Sequence, residues 1–315
     1  MPTVLSIGEA LVEIMRPQPD LPLDRPECFV GPFPSGAPAI FADCASRLGM
    51  SCGFIGVVGA DDFGACLGNR LMRDGVDVAY LATDPERLTG IAFVTYHSDG
   101  GRHFLFHMRD AAAGRLAPHH LDHSYVAQAE WLHVCGSALA ASETSQRACY
   151  QAVEWVKAAG GRVSLDPNLR AELLSVERIS RICQPVLEAA DLILPSGEEA
   201  SMLTGIGDAE EAAMALVREG RMVALKRGSR GSIIFTSFER LAVPAFPVEE
   251  VDPTGAGDCY AAAFVVGLVE GWPLTRVGRF ANAVGALATT RLGPMEGAPT
   301  RGEVEAFMQA GCSSE

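Results

Sequence analysis

Between Val251 and Phe264 the chain reads VDPTGAGDCYAAAF. Three small residues, Gly255, Ala256 and Gly257, run straight into an acid, Asp258, and then into an Ala-rich apolar stretch. The start of a helix exposes unpaired N–H groups and carries partial positive charge. A turn with almost no side chains lets a phosphate approach those groups closely. A carboxylate on the first helical turn then stands beside the anion. There it can accept the proton of a hydroxyl that attacks phosphorus. Alone, the same residues also suit an ordinary acidic start to a buried helix. The turn is not a Walker A loop, because no GK[ST] follows. Nor is it a dinucleotide-binding fingerprint, because Tyr260 occupies the place of the third glycine.

Such a turn needs elements to aim it. Short apolar runs recur along the chain: VLSIG, CGFIGVVG, WLHVCG, RVSLD, DLILPS and MVALKRG. Segments of helical periodicity lie between most of them, such as 39–48, 64–73, 142–159 and 208–218. Continuous apolar strands alternating with helices predict a parallel sheet covered on both faces, an α/β fold. The C-terminal third reads as helices over 258–270, 274–291 and 301–309. Two segments break the rhythm. Glu13 to Pro34 carries six prolines, and Leu88 to Arg109 reads as a hairpin around Ser98-Asp-Gly-Gly. Together they predict a small second sheet, a lid over a ligand cleft, from 13–33 and 88–110. The main body is then 1–12, 34–87 and 111–315.

Composition narrows the function. The 315 residues are 48% apolar, enough for a substantial core. With 25 basic and 39 acidic residues the formal charge is −14, which argues against nucleic acid or an anionic membrane surface as partner. A local basic pocket for an anionic substrate stays open. Nine cysteines, irregularly spaced and without a CxxC pair, indicate reduced thiols in a cytoplasm. The first residues, MPTVLSIGEALVEI, lack the basic start of a signal peptide. The longest apolar stretch, near CYAAAFVVGLV, falls short of the ~20 residues of a membrane helix. His119, His120 and His123 cluster in a loop, and His103 and His107 lie on a strand where four-residue spacing does not align them; neither set reads as a metal site.

The longer pattern, D-P-T-G-A-G-D followed by an Ala-rich helix, resembles the signature of the ribokinase-like (PfkB) sugar kinases. Five further stretches resemble family segments in the same order: SGAPAIFADCASRLG at 35–49, GVVGADDFGACLGNRL at 56–71, DPNLR at 166–170, PSGEEA at 195–200 and LKRGSRGS at 225–232. The resemblance covers nearly the whole chain. It implies a ribokinase-like parallel-sheet α/β/α main domain with a small β-sheet lid. It also implies ATP-dependent transfer of a phosphoryl group to a primary hydroxyl of a keto sugar or keto sugar acid.

Roles follow by resemblance. Asp258 is the base, and Gly255, Ala256 and Gly257 bind the transferring phosphate. Ser196, Lys226, Gly228, Ser229 and Gly231 line the ATP site, with Asn282 and Ala286 flanking adenine. Glu199 matches the acid of an N-x-x-E motif that organises Mg2+ through water, with Ser196 in the place of the asparagine. Asp252 and Thr254, with backbone from 289–297, match a site for a monovalent cation such as K+. Gly36 and Ala37 match the sugar-binding segment, whose later asparagine is replaced near Pro38, Ala39 and Ile40. Arg109 and Arg170 match basic residues near the substrate. Arginines grip carboxylates through paired N–H bonds, so the pair favours 2-keto-3-deoxygluconate. Fructose and tagatose are the alternatives, since fructokinases carry similar arginines and His107-Met108 departs from the keto-acid kinases. A non-catalytic sugar-binding homologue is the reading of a different class. A nucleotide-linked oxidoreductase lacks its Gly-rich fingerprint. The resemblance further implies a homodimer paired through the lid.

Overall fold

The structure is a computed structural model and describes residues 1–169 and 175–312. In chain order its strands are β1 (Val4–Ile7), β2 (Leu11–Met15), β3 (Val30–Ser35), β4 (Cys52–Gly59), β5 (Asp77–Asp84), β6 (Gly90–Tyr96), β7 (Arg102–His107), β8 (Trp131–Cys135), β9 (Arg162–Asp166), β10 (Leu192–Ile193), β11 (Met222–Lys226), β12 (Ser232–Phe235) and β13 (Arg240–Val243). The helices are α1 (Ala37–Arg47), α2 (Asp62–Arg73), α3 (His123–Val126), α4 (Gly136–Ala141), α5 (Glu143–Ala158), α6 (Val176–Ala189), α7 (Gly197–Thr204), α8 (Ala209–Ala215), α9 (Ala256–Val269), α10 (Leu274–Ala288) and α11 (Arg301–Cys312).

Nine strands form one sheet in the order β13-β12-β11-β10-β9-β8-β1-β4-β5. Strand residues alternate between its two faces, so each face has its own core. Val4, Trp131, Leu192 and Ile234 pack under α1, α2, α9, α10 and α11. Leu5, Ile7, Leu132 and Leu225 pack under α4 to α8. Both faces are buried, which is why these strands read as unbroken apolar runs. The sheet departs from the expectation of a wholly parallel one. From β5 to β11 neighbours are parallel, but β12 and β13 are antiparallel. The cause is local. Only the single turn Gly228–Arg230 joins β11 to β12, and a parallel crossover needs a dozen residues or more.

The second sheet has the order β3-β2-β6-β7. Its strands reach Leu11 and Ser35, just outside the segments expected from sequence. Leu11, Met15, Ala92, Val94 and Phe104 form its inner face, against which Leu292 packs from the loop after α10. The proline-rich stretch between β2 and β3 is held by one buried cation. The Arg16 guanidinium donates to the carbonyls of Pro22, Arg25, Glu27 and Cys28, replacing the backbone pairing that the prolines forgo. Among the described residues no helix is long and apolar enough to cross a membrane.

Candidate active site

The α9 helix is apolar all round and buried, so its N-terminus is fixed from every side. Gly255 caps it at φ +81°, and a Cβ there would lie 2.4 Å from the Pro294 carbonyl oxygen. Only glycine fits that backbone and that approach. Asp258 follows on the first turn and is 8% exposed. Ile40 of α1 lies against Gly255, which brings the SGAPAI segment beside the glycine turn.

Two strand ends complete the floor, at the carboxyl edge of the parallel strands where α/β sheets bind ligands. Asp166 ends β9 and Lys226 ends β11, and Lys226 Nζ donates to Asp166 Oδ2 at 2.5 Å. The ammonium lies 3.4 Å from where a Cβ on Gly257 would sit. Burial pushes Asp166 up to about 6, against the pull of Lys226. Burial also acts to discharge Lys226, but Asp166 first, then Glu199 and Asp258, outweigh it and raise its pKa. Lys226 is therefore an ammonium at any working pH.

Glu199 serves the backbone. Its carboxylate accepts from Ser196 N at 2.7 Å, capping α7, and from Leu169 N at 2.9 Å, tying down the DPNL loop. Asp252 is fully buried and accepts from Tyr96 Oη at 2.5 Å, Thr254 N at 2.9 Å and Gly293 N at 2.9 Å. Tyr96 Oη also lies 2.8 Å from Thr254 Oγ1, so the small sheet is stitched to the segment that leads into the glycine turn. Burial first, then Asp252, raises the Tyr96 pKa and keeps the phenol protonated.

At the sugar end Gly36 caps α1 at φ +107°, and a Cβ there would meet Glu9 O at 2.6 Å. Ala37 is the first residue of α1. Ser35 Oγ donates to the buried Glu13 carboxylate at 2.6 Å. Arg109 is exposed in the turn after β7, and Arg170 lies outside the described residues. On the other side of Lys226 a cleft of about 490 Å3 is lined by Ser196, Glu198, Asp208, Arg227 and Gly228 among others. Ser229 and Gly231 belong to the turn at its rim. Asn282 and Ala286 sit on α10; the Asn282 amide donates to Val243 O and Pro244 O, holding the end of β13.

Of the residues singled out from sequence, Lys226 and the SGAPAI segment meet the N-terminal turn of α9 and Asp252 and Thr254 lead into it, while Ser196 and Gly228 line the cleft, Arg109 is exposed and Arg170 lies outside the described residues. Three further residues carry the site without a role from sequence: Asp166, within DPNLR; Glu13, at the edge of the first insertion; and Tyr96, within the hairpin segment 88–109. For Glu13 the signal was there: a charged residue inside an apolar strand, LVEIM.

Residues 1–301 match the model of the pfkB family carbohydrate kinases. The chain belongs to that family. A fructokinase of Escherichia coli is 34% identical over 308 residues, covering 95% of this chain and 97% of that protein. Fructokinase-1 of Zea mays is 33% identical, covering 96% of each. Among solved structures, a putative ribokinase II from E. coli in complex with ATP and Mg2+ superposes with a TM-score of 0.92 at 42% identity, covering 98% of this chain and all of that one. The PfkB kinase described here is therefore a sugar phosphotransferase with the ribokinase-like fold.

Proposed function

We propose that this kinase transfers the γ-phosphoryl group of MgATP to a primary hydroxyl of a neutral ketohexose, with fructose as the first candidate. The observation that carries the reading is Asp258 at the mouth of the glycine turn, in a chain a third identical to fructokinases along its length. The buried Glu13 carboxyl group beside Ser35 supports a sugar subsite there, since it can accept a hydrogen bond from a sugar hydroxyl. Arg109 is exposed and Arg170 lies outside the described residues, so the reading is carried by neither.

In this reading the nucleotide lies in the cleft at Lys226 and Gly228, and the sugar lies at Gly36 and Ala37. The γ-phosphate rests on the N–H groups of Gly255 to Gly257. Asp258 takes the hydroxyl proton as the new O–P bond forms and the bond to ADP breaks. Glu199, each of whose oxygens holds a backbone N–H group, would reach the magnesium of MgATP through water. A monovalent cation suits Asp252. That carboxylate is fully buried, and among the described residues no cationic side chain pairs with it. A homodimer through the small sheet belongs to the same proposal. Phe29, just before β3, and Leu105, on β7, are exposed apolar side chains that such a pairing would cover, and sedimentation would report the mass of the dimer.

The test is sugar-dependent ADP release with MgATP and K+, on fructose, tagatose, ribose and 2-keto-3-deoxygluconate in parallel. Preference for fructose or tagatose supports the proposal. Preference for the keto acid overturns it and returns the arginines to the substrate. Ribose is included because the structural relative at 42% identity is a putative ribokinase II.

A further inference from the structure

Lys226 is placed unlike a residue that merely borders a nucleotide. Its ammonium faces the bare side of Gly257, 3.4 Å from where a Cβ would project, one residue before Asp258. The ammonium therefore borders the glycine turn itself. Its backbone is fixed, since Lys226 N donates to Pro195 O at 2.8 Å at the end of β11. Its side chain is aimed by Asp166 at the end of β9, across β10. Among the described residues the ammonium donates to Asp166 alone, while it carries three N–H groups.

We propose that Lys226 is a catalytic residue that contacts the phosphoryl group in transit, with Asp166 as the positioning residue that aims it. The proposal rests on the sugar-kinase reading of the same site and assigns the step at which this lysine acts. In the free enzyme Lys226 leans on Asp166. With both substrates bound, its remaining N–H groups point to the equatorial oxygens of the phosphoryl group at Gly257. Those oxygens carry the charge of the transition state, and a fixed cation beside them lowers the barrier without needing to move. Asp166 keeps the long side chain from swinging out toward the adenosine side, so part of the entropy of fixing it is lost in folding and not in turnover. No proton is exchanged by Lys226: the hydroxyl proton goes to Asp258, and the leaving group departs as ADP.

The test compares Lys226→Met, Lys226→Arg and Asp166→Asn with wild type in two ways. Turnover is measured on whichever sugar the wild type accepts. Calorimetry gives the affinities of ADP and of the β,γ-imido analogue of ATP, both with Mg2+. For Lys226→Met we expect kcat to fall by about 100-fold or more while the sugar KM shifts by no more than about threefold. ADP affinity should also stay within about threefold, whereas the analogue should lose its advantage over ADP. Lys226→Arg should recover about tenfold of the lost kcat, because charge without the same reach is only partly useful. Asp166→Asn should lower kcat and leave ADP binding unchanged.

An unchanged kcat in Lys226→Met would overturn the proposal. So would equal weakening of ADP and the analogue, which would make Lys226 a nucleotide-lining residue only. If Lys226→Met does not fold, the arginine and asparagine variants decide by the same two ratios. If the wild type turns over none of the sugars, the substrate proposal fails on its own; the ADP-against-analogue ratio still decides the role of Lys226.

Discussion

Arg70 and Lys226 each face three carboxylates inside the main body of this kinase. Arg70, on α2, is 5% exposed. It donates to both oxygens of Asp43, to Glu296 Oε1 at 2.7 Å and to Met295 O at 2.7 Å, and it pairs with Asp74 at 2.5 Å. Every side of its guanidinium is used within the fold. Lys226 faces Asp166, Glu199 and Asp258, and donates to Asp166 alone among the described residues. One cluster is closed on itself and ties α1 and α2 to the loop after α10. The other is left open on the side of the glycine turn. Identical charge counts therefore have different uses, decided by how many donors the fold consumes. A planar, five-donor guanidinium suits the closed cluster, and a compact ammonium with spare N–H groups suits the open one.

This comparison can be broken most sharply at Asp258. Asp258→Asn keeps shape and removes the base, so kcat should fall by about 1,000-fold or more, while the melting temperature stays near that of wild type. Steady-state kinetics and calorimetry read both. Near-normal turnover would remove Asp258 from its role. In the closed cluster the effect should appear in stability. Arg70→Met strands buried carboxylates and should cost about 3–5 kcal/mol in urea unfolding, with kcat changed little at a temperature where the variant is folded. Tyr96 ties the small sheet to Asp252. Tyr96→Phe removes a hydrogen bond to the buried Asp252 carboxylate, which should cost about 1.5–3 kcal/mol and raise the sugar KM as the small sheet loosens. Unchanged KM would separate that sheet from sugar binding.

The smallest expected effect is a pH slope. Burial first, helped by a hydrogen bond with Asp74 and opposed by Arg70, pushes Asp43 up to about 7 from an ordinary 3.8. The native state thus holds a proton that the unfolded chain releases. Stability should fall as pH rises from about 4 to 7, because in that window the native state binds more protons. Asp74, held low partly by the same hydrogen bond, titrates below the window. Asp43→Asn should flatten the slope measured by urea unfolding at several pH values. A slope unchanged in the variant would place the titration elsewhere.

The sequence exposes the open cluster better than the closed one. The glycine turn and Asp258 are contiguous and could be read as a unit. Lys226 stood in a recognisable segment, but its partner Asp166 lies 60 residues away and only folding joins them. The Arg70 cluster draws on α1, α2 and the loop after α10, with no local pattern to announce it. Much the same holds for the fold. The strands β1, β4, β8, β9, β10 and β11 were legible because both their faces are buried. The strand β5 was not, because at the sheet edge its DVAYLATD is half-exposed and mixed in character. The strand β12 follows β11 after a single turn, with no helix to set it off, and β13, RLAV, is largely exposed at the sheet edge. Tyr96 could not be found locally, because its partner Asp252 lies 156 residues on.

The most direct test of the contrast is to measure kcat and the urea midpoint together for Lys226→Met and Arg70→Met. The account predicts a crossed result. Lys226→Met, which strands the single buried Asp166 carboxylate, should lose far more turnover than midpoint, and Arg70→Met, which strands several, should lose midpoint and keep its turnover. If both variants lose stability alone, the Lys226 cluster is structural like the other, and the assignment of an open, catalytic charge to it is wrong.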